Sequence, residues 1–309
     1  MNADLAHIDV TDAHQHFWDL GANPYPWLQA PEPIPFRYGD YAALRRNYLP
    51  ADYRRDSAGC GVVRTVHVEA EWDRTSPVRE TAWLDALADA EGLPTVIVGH
   101  ARFEAPDATE VVAQHAACAR VRGIRQKPTA AAAPAEAQRG LRGSMDDPAW
   151  RRGYAALARH GLSYDLQTPW WHLDAAAALA RDVPETTVIL NHTGLPADRS
   201  AEGLAAWRRA MAALADCPNA ALKISGLGFD GAHWSTAANV PVMREAIAIF
   251  GAERCMFASN YPVDSLVASY GAILAAFREA IAHRPLEQQR MLLSGNSERI
   301  YRIPIVATV

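Results

Sequence analysis

The chain has little cysteine and no cysteine pattern. Cys60, Cys118, Cys217 and Cys255 are its only four, widely scattered and without a CxxC pair, which leaves no metal ribbon or redox motif and reads as buried, reduced thiols. No stretch approaches the roughly 18 consecutive apolar residues of a membrane span. Met1 to Asp12 is polar and mixed in charge, without the apolar core of a secretory leader. Basic blocks are missing too: 30 Lys+Arg against 35 Asp+Glu give a net charge of −5, which argues against a nucleic-acid groove or an anionic membrane surface. There is no repeat of fixed period and, apart from the alanine run Thr129–Ala135, no low-complexity linker. The expectation that remains is a cytoplasmic enzyme with a small-molecule substrate, and no nucleic acid or membrane among its partners.

What is present is alternation. Short β-branched runs at His7–Asp12, Val62–Val68, Thr95–Gly99, Arg122–Gln126, Leu162–Leu166, Thr187–Asn191, Ala220–Ser225 and Cys255–Ser259 read as strands. Between them lie Val78–Glu91, Thr109–Ala119, Pro148–His160, His172–Arg181, Glu202–Ala215, Val240–Phe250 and Ser265–His283, whose apolar residues recur at three- and four-residue steps as one-sided helices require. Gly or Pro punctuates most helix ends, as at Gly92-Leu93-Pro94, Gly161 and Gly251. Eight strand–helix units in 309 residues average about 39 residues each, the size of a (β/α)8 repeat with insertions. A doubly wound sheet would carry a Gly-rich phosphate turn after an early strand, and the first strand runs instead into Asp12-Ala13-His14-Gln15-His16. The expected fold is a single α/β domain over residues 1–309, a (β/α)8 TIM barrel with a long loop insertion after strand one. That insertion, Phe17 to about Asp56, is rich in Trp and Tyr; lid, hydrophobic clamp and subunit contact of a homo-oligomer are all open to it. A second insertion runs from Gln126 to about Asp147.

In such barrels the chemistry sits at the strand C-termini. His14 and His16 end the first strand two residues apart, so both rings project to one side; two neutral imidazoles there can hold a metal or move protons. The alternative is a pair of hydrogen-bonding histidines packed under a loop. His192, in Asn191-His192-Thr193-Gly194, stands at the mouth of strand six and completes a three-histidine set. The last strand ends in Ser259-Asn260-Tyr261-Pro262.

Together these elements resemble the amidohydrolase superfamily, in particular the amidohydrolase-2 branch that contains sugar-acid lactonases and 2-pyrone-4,6-dicarboxylate lactonase. The resemblance spans nearly the whole chain through Asp12–Trp18, Gly123–Gln126, Asp165–Gln167, Leu190–Gly194, Lys223–Gly226 and the Ser259–Asp264 turn. It implies a barrel hydrolysing a lactone or a related ester or amide. A strand-eight aspartate would take the proton of water, and histidines of strands one and six would polarise the carbonyl or hold a metal. Those positions fall on His14, His16, His192 and Asn260. Asn260 departs from the pattern, because a carboxamide has no basic group to accept a proton at neutral pH. Three substitutes offer themselves: Asp264 after the proline turn, Glu69 or Glu71 after strand two, or a histidine as base with Asn260 orienting substrate or water. The competing role for Asp264 is an N-cap for a helix starting near Ser265.

Further candidates for substrate contact are Arg125 and Lys127 at the end of strand four, suited to a carboxylate or a developing oxyanion, with Glu69, Gln167 and Trp170. For Arg125 the alternative is a salt bridge inside the barrel. His14, His16 and His192 supply the three nitrogens found at some catalytic zinc sites, so a divalent metal such as zinc is one option and metal-free catalysis the other. The function expected is hydrolysis of a small lactone, of a sugar acid or a related carboxylated lactone. The alternatives are the same barrel catalysing amide hydrolysis, decarboxylation or hydration, or a ligand-binding barrel that has lost its base.

Overall fold

The computed structural model describes residues 8–229, 231 and 233–304. Eight parallel strands pair in sequence order: β1 Val10–Gln15, β2 Val62–Val68, β3 Val96–His100, β4 Val121–Arg125, β5 Ser163–Leu166, β6 Val188–Leu190, β7 Ala220–Ile224 and β8 Cys255–Phe257. The sheet closes where Asn260 N donates to His14 O at 2.8 Å and His16 N donates to Tyr261 O at 2.8 Å. The expected (β/α)8 barrel is therefore present. No described helix is long and apolar enough to cross a membrane.

The first strand sits further along than its sequence pattern suggests. His7 lies outside the described residues, and β1 starts at Val10 and continues to Gln15. Asp12 explains the extension. Its carboxylate is buried and accepts from Ser259 N (2.9 Å), Ser259 Oγ (2.6 Å), Tyr53 OH (2.8 Å) and Tyr270 OH (3.1 Å), so it fastens the first strand to the eighth just below the site. Helix positions follow the apolar periodicity closely, and Val78–Glu91 ends at Gly92 in the left-handed region. The last barrel helix is displaced: it starts at Tyr270, capped by Ser269 Oγ accepting from Ala272 N. Asp264 lies instead in a short 3-10 turn, Val263–Leu266, and is not a helix cap.

Inward-facing residues alternate along the strands. Ala13, Val66, Val98, Ile189, Ala221 and Met256 belong to an apolar interior that Tyr301 and Ile303 also join. One ion pair crosses that interior: Lys223 Nζ lies 2.5 Å from Asp165 Oδ1, both fully buried. Tyr301 OH donates to both Asp165 oxygens at 2.9 Å and Asn191 Nδ2 to Oδ1 at 3.0 Å. Removing either charged partner would strand the other, at a cost of about 3–5 kcal/mol.

The insertion after β1 is a second packed layer. Phe17, Trp18, Tyr25, Tyr38, Tyr41, Tyr48 and Tyr53 are each no more than 1% exposed, so most of its aromatic surface is spent inside the chain. A seven-residue helix, Pro50–Asp56, closes the segment.

Candidate active site

The C-terminal mouth of the barrel holds a pocket of about 370 Å³. Its floor and one wall are polar: His16, His192, Asn260, Arg125, Lys127, Gln167 and Glu71. The opposite wall comes from the first insertion, with Trp18, Trp27, Ile34, Pro35, Phe36 and Arg37. Trp27 is stacked on Phe36, with ring centroids 5.9 Å apart, and its indole N–H donates to Ala70 O at 2.9 Å.

The three histidines come together as their positions suggest. The His14 ring lies 4.9 Å from that of His16 and 4.6 Å from that of His192, centroid to centroid. His14 is fully buried and neither ring nitrogen has a protein partner. Burial pushes the His14 pKa well below the ordinary value, and the Lys223 charge pushes it further. Burial and then the Arg125 guanidinium lower His16 to about 3. His192 is lowered by burial and then by Arg37. All three rings are neutral at neutral pH.

His192 owes its seat to glycine. His192 Nδ1 is 3.0 Å from Ser225 Oγ, and Gly226, at φ +65°, packs so close that a Cβ there would stand 2.5 Å from His192 Cβ.

The His16 tautomer follows from its neighbours. Nδ1 lies 2.7 Å from Val68 O, and a carbonyl only accepts, so the proton is on Nδ1 and the lone pair is on Nε2. Nε2 in turn faces Asn260 Oδ1 at 3.3 Å. The amide is held that way round because Asn260 Nδ2 donates to Asp264 Oδ1 at 2.6 Å. Two acceptors thus face one another across the pocket floor.

Arg125 forms the salt bridge inside the barrel and also lines the pocket. Its Nε donates to Glu69 Oε1 at 2.7 Å and its Nη2 to Glu69 O, while Nη1 reaches Gln167 Oε1 at 3.3 Å and the side chain still lines the pocket. Glu69 lies behind that guanidinium, 1% exposed, and Arg74 Nη1 donates to its other oxygen at 3.1 Å. Burial opposes the charge on Glu69, but Arg125 and Arg74 hold its pKa well below the carboxylate range. Lys127 Nζ pairs with Glu71 Oε1 at 2.5 Å. Asp264 is 1% exposed behind Asn260 and does not face the pocket. Trp170 packs edge-on against Trp171, 5.4 Å between centroids, in the turn after β5 and away from the pocket.

Arg37 lines the pocket without standing out in the sequence, and Trp18, Trp27 and Phe36 do so without differing there from the other aromatic residues around them. The one available signal was that Arg37 is the single basic residue between Phe17 and Asp40.

The donor set does not fit a zinc centre as arranged. Among the described residues no group of three or more His, Cys, Asp or Glu side chains has the geometry to hold a metal. The strand-eight oxygen that faces His16 Nε2 belongs to a neutral carboxamide, Asn260. Arg125 acts electrostatically on all three rings, and the nearby carboxylates Glu69 and Asp264 are turned to other partners.

Comparison with known proteins places the chain among relatives along almost its full length. The amidohydrolase family profile matches residues 11–303. An uncharacterised protein of Sinorhizobium fredii is 40% identical over 299 residues, 97% of this chain and 100% of that one. The L-fucono-1,5-lactonase of Burkholderia ambifaria is 30% identical over 299 residues, covering 94% of this chain and 95% of its own. A crystal structure of a Burkholderia multivorans amidohydrolase with bound zinc covers 96% of this chain and 100% of that one, with a TM-score of 0.79 and 27% identity.

Proposed function

The chain belongs to the amidohydrolase family and is a hydrolase; from that premise we propose that it opens the ring of a small, uncharged sugar lactone by adding water to the ring carbonyl. The observation that carries the reading is the facing pair of acceptors, His16 Nε2 and Asn260 Oδ1, on the floor of a pocket whose wall holds Arg125 and Lys127. A water molecule has two protons to donate, and two acceptors 3.3 Å apart can take one each. His16 Nε2 then removes its proton as the water oxygen bonds to the carbonyl carbon. Arg125 and Lys127 offset the negative charge that develops on the carbonyl oxygen. As the ring C–O bond breaks, the proton held by His16 passes to the leaving ring oxygen, and a hydroxy acid results. Its carboxyl group ionises at neutral pH, so each turnover releases one proton.

Each pocket cation already has a protein partner: Arg125 pairs with Glu69 and Lys127 with Glu71, Arg74 shares both carboxylates, and Arg37 lies over the Tyr38 ring. The aromatic wall of Trp18, Trp27 and Phe36 suits the apolar face of a sugar ring, and the polar floor suits its hydroxyls. The Burkholderia ambifaria relative named L-fucono-1,5-lactonase supports the same substrate class. No step in this scheme runs through a metal.

The test is a panel of 1,4- and 1,5-aldonolactones, carboxylated lactones, amides and unsaturated acids, followed with a pH indicator. Proton release with the neutral lactones is the expected result. Turnover confined to the amides or acids would move the chemistry to another reaction on the same barrel. Tight binding without turnover would make this a ligand-binding barrel.

A further inference from the structure

We propose that Asp264 and Tyr38 are positioning residues that lock the Asn260 carboxamide with its oxygen toward the pocket, and so keep the His16 lone pair open for water. The proposal rests on the lactone-hydrolase reading above and says how that site is held ready.

Left to itself, Asn260 would turn the other way. His16 carries its proton on Nδ1, against Val68 O, and presents a bare acceptor at Nε2. An amide facing that acceptor gains a hydrogen bond by turning its NH2 toward it. In that orientation Asn260 would occupy the very lone pair that must take a proton from water. The structure has the opposite orientation, with Oδ1 toward Nε2 at 3.3 Å.

Asp264 accounts for this. Its Oδ1 accepts from Asn260 Nδ2 at 2.6 Å and from Tyr38 OH at 3.0 Å, and the Gly226 N–H also donates to the carboxylate. With the amide reversed, two oxygens would meet at that separation in a buried site, an unpaired contact that costs more than the bond gained at His16. The turn itself is fixed, because Asp264 N donates to Asn260 O at 3.0 Å and Asn260 sits at φ +58°, a backbone region that asparagine tolerates better than most residues. Tyr38 is 1% exposed and comes from the insertion whose neighbours Phe36 and Arg37 line the pocket. The substrate wall and the water-binding floor therefore meet at one carboxylate. On this view Asn260 and Asp264 together replace the single strand-eight aspartate that the family resemblance implied.

The experiment is an exchange of the two side chains. In Asp264→Asn the new amide can donate to Asn260, which frees Asn260 to turn its NH2 to His16. The expected result is a fall in kcat of about 100-fold, the order lost with one preorganised polar group, with KM changed less than about threefold. Asn260→Asp alone sets two carboxylates face to face and lowers the melting temperature at pH 7. The double variant Asn260→Asp/Asp264→Asn restores one donor and one acceptor; both the melting temperature and at least about tenfold of the lost kcat are expected to return. Tyr38→Phe should lower kcat in the same direction with KM held. Unchanged kcat in Asp264→Asn, or losses in the double variant that simply add, overturns the proposal. If wild-type protein turns over no lactone, the lactone reading fails, and the melting temperatures of the exchange series still decide whether the pair acts as a unit.

Discussion

Gly226→Ala offers the sharpest use of the geometry around His192. Gly226 lies at φ +65°, and a methyl group there would meet His192 Cβ at 2.5 Å, Cγ at 2.8 Å and Nδ1 at 3.0 Å. Carbon atoms pack comfortably at about 3.5–4.0 Å, so the imidazole must retreat by about 1 Å. It has little room, since the next residue, Thr193, donates from Oγ1 to Ser225 O at 3.0 Å and accepts from Trp207 Nε1 at 2.9 Å through its carbonyl. The left-handed backbone costs alanine about 1–2 kcal/mol, and overpacking adds about 1–3 kcal/mol. Gly92→Ala is the matched control, because Gly92 has φ +74° and nothing within 4 Å of its added methyl, so it carries the backbone cost alone. Denaturant unfolding should place Gly226→Ala about 1–3 kcal/mol below Gly92→Ala, and kcat/KM should fall about 100-fold, as a 1 Å misplacement costs. Equal stability of the two variants, with kcat/KM of Gly226→Ala within about threefold of wild type, would refute the claim that Gly226 seats His192 where the pocket needs it.

Other outcomes follow from the same contacts. Arg125→Lys replaces a fork that engages Glu69 and Gln167 with a single ammonium, and kcat/KM measured on the best lactone should fall about 100-fold. Tyr301→Phe removes the hydroxyl that donates to both Asp165 oxygens, and urea unfolding should register a loss of about 1.5–3 kcal/mol. His16 acts in its neutral form, and with its pKa lowered to about 3 that form persists above pH 4. The acid limb of the kcat/KM profile should therefore show no fall through the usual histidine range near 6.5; a midpoint there would remove His16 as the base. Burial and the nearby Glu69 raise Glu80 to about 8. Its contribution to stability is then complete below the ordinary carboxylate pKa and is lost as pH rises toward 8. Melting temperatures of Glu80→Gln and wild type, compared at pH 5 and pH 8, should diverge in favour of the variant at the higher pH.

The barrel was legible because its signals are local. Apolar runs such as Val62–Val68 and helices such as Val78–Glu91, stopped by Gly92, carry their own periodicity and punctuation. The first strand was displaced because its end is set by Asp12 reaching Ser259, 247 residues away, which no window of sequence reports. The same distinction governs the site. His14, His16 and His192 are visible as strand-end residues, and Arg125, Lys127 and Gln167 follow from the strand register. What Asp264 touches depends on Tyr38, 226 residues earlier, and on a turn rather than a helix start. Trp170 reads in sequence as a substrate contact because the side its loop faces is not local information. The aromatic insertion reads equally as lid, clamp or contact; its tyrosines are buried inside the chain, and Trp18, Trp27 and Phe36 are its aromatic residues that line the pocket.

The most direct measurement is the rate of proton release from neutral 1,5-aldonolactones by metal-stripped wild-type protein and by His16→Gln, side by side at pH 7. The account predicts turnover by the stripped wild type and a loss of at least about 100-fold in the variant, the low end of what a positioned base contributes. Absence of wild-type turnover on every lactone until a metal is restored, or a His16→Gln rate equal to wild type, would contradict it.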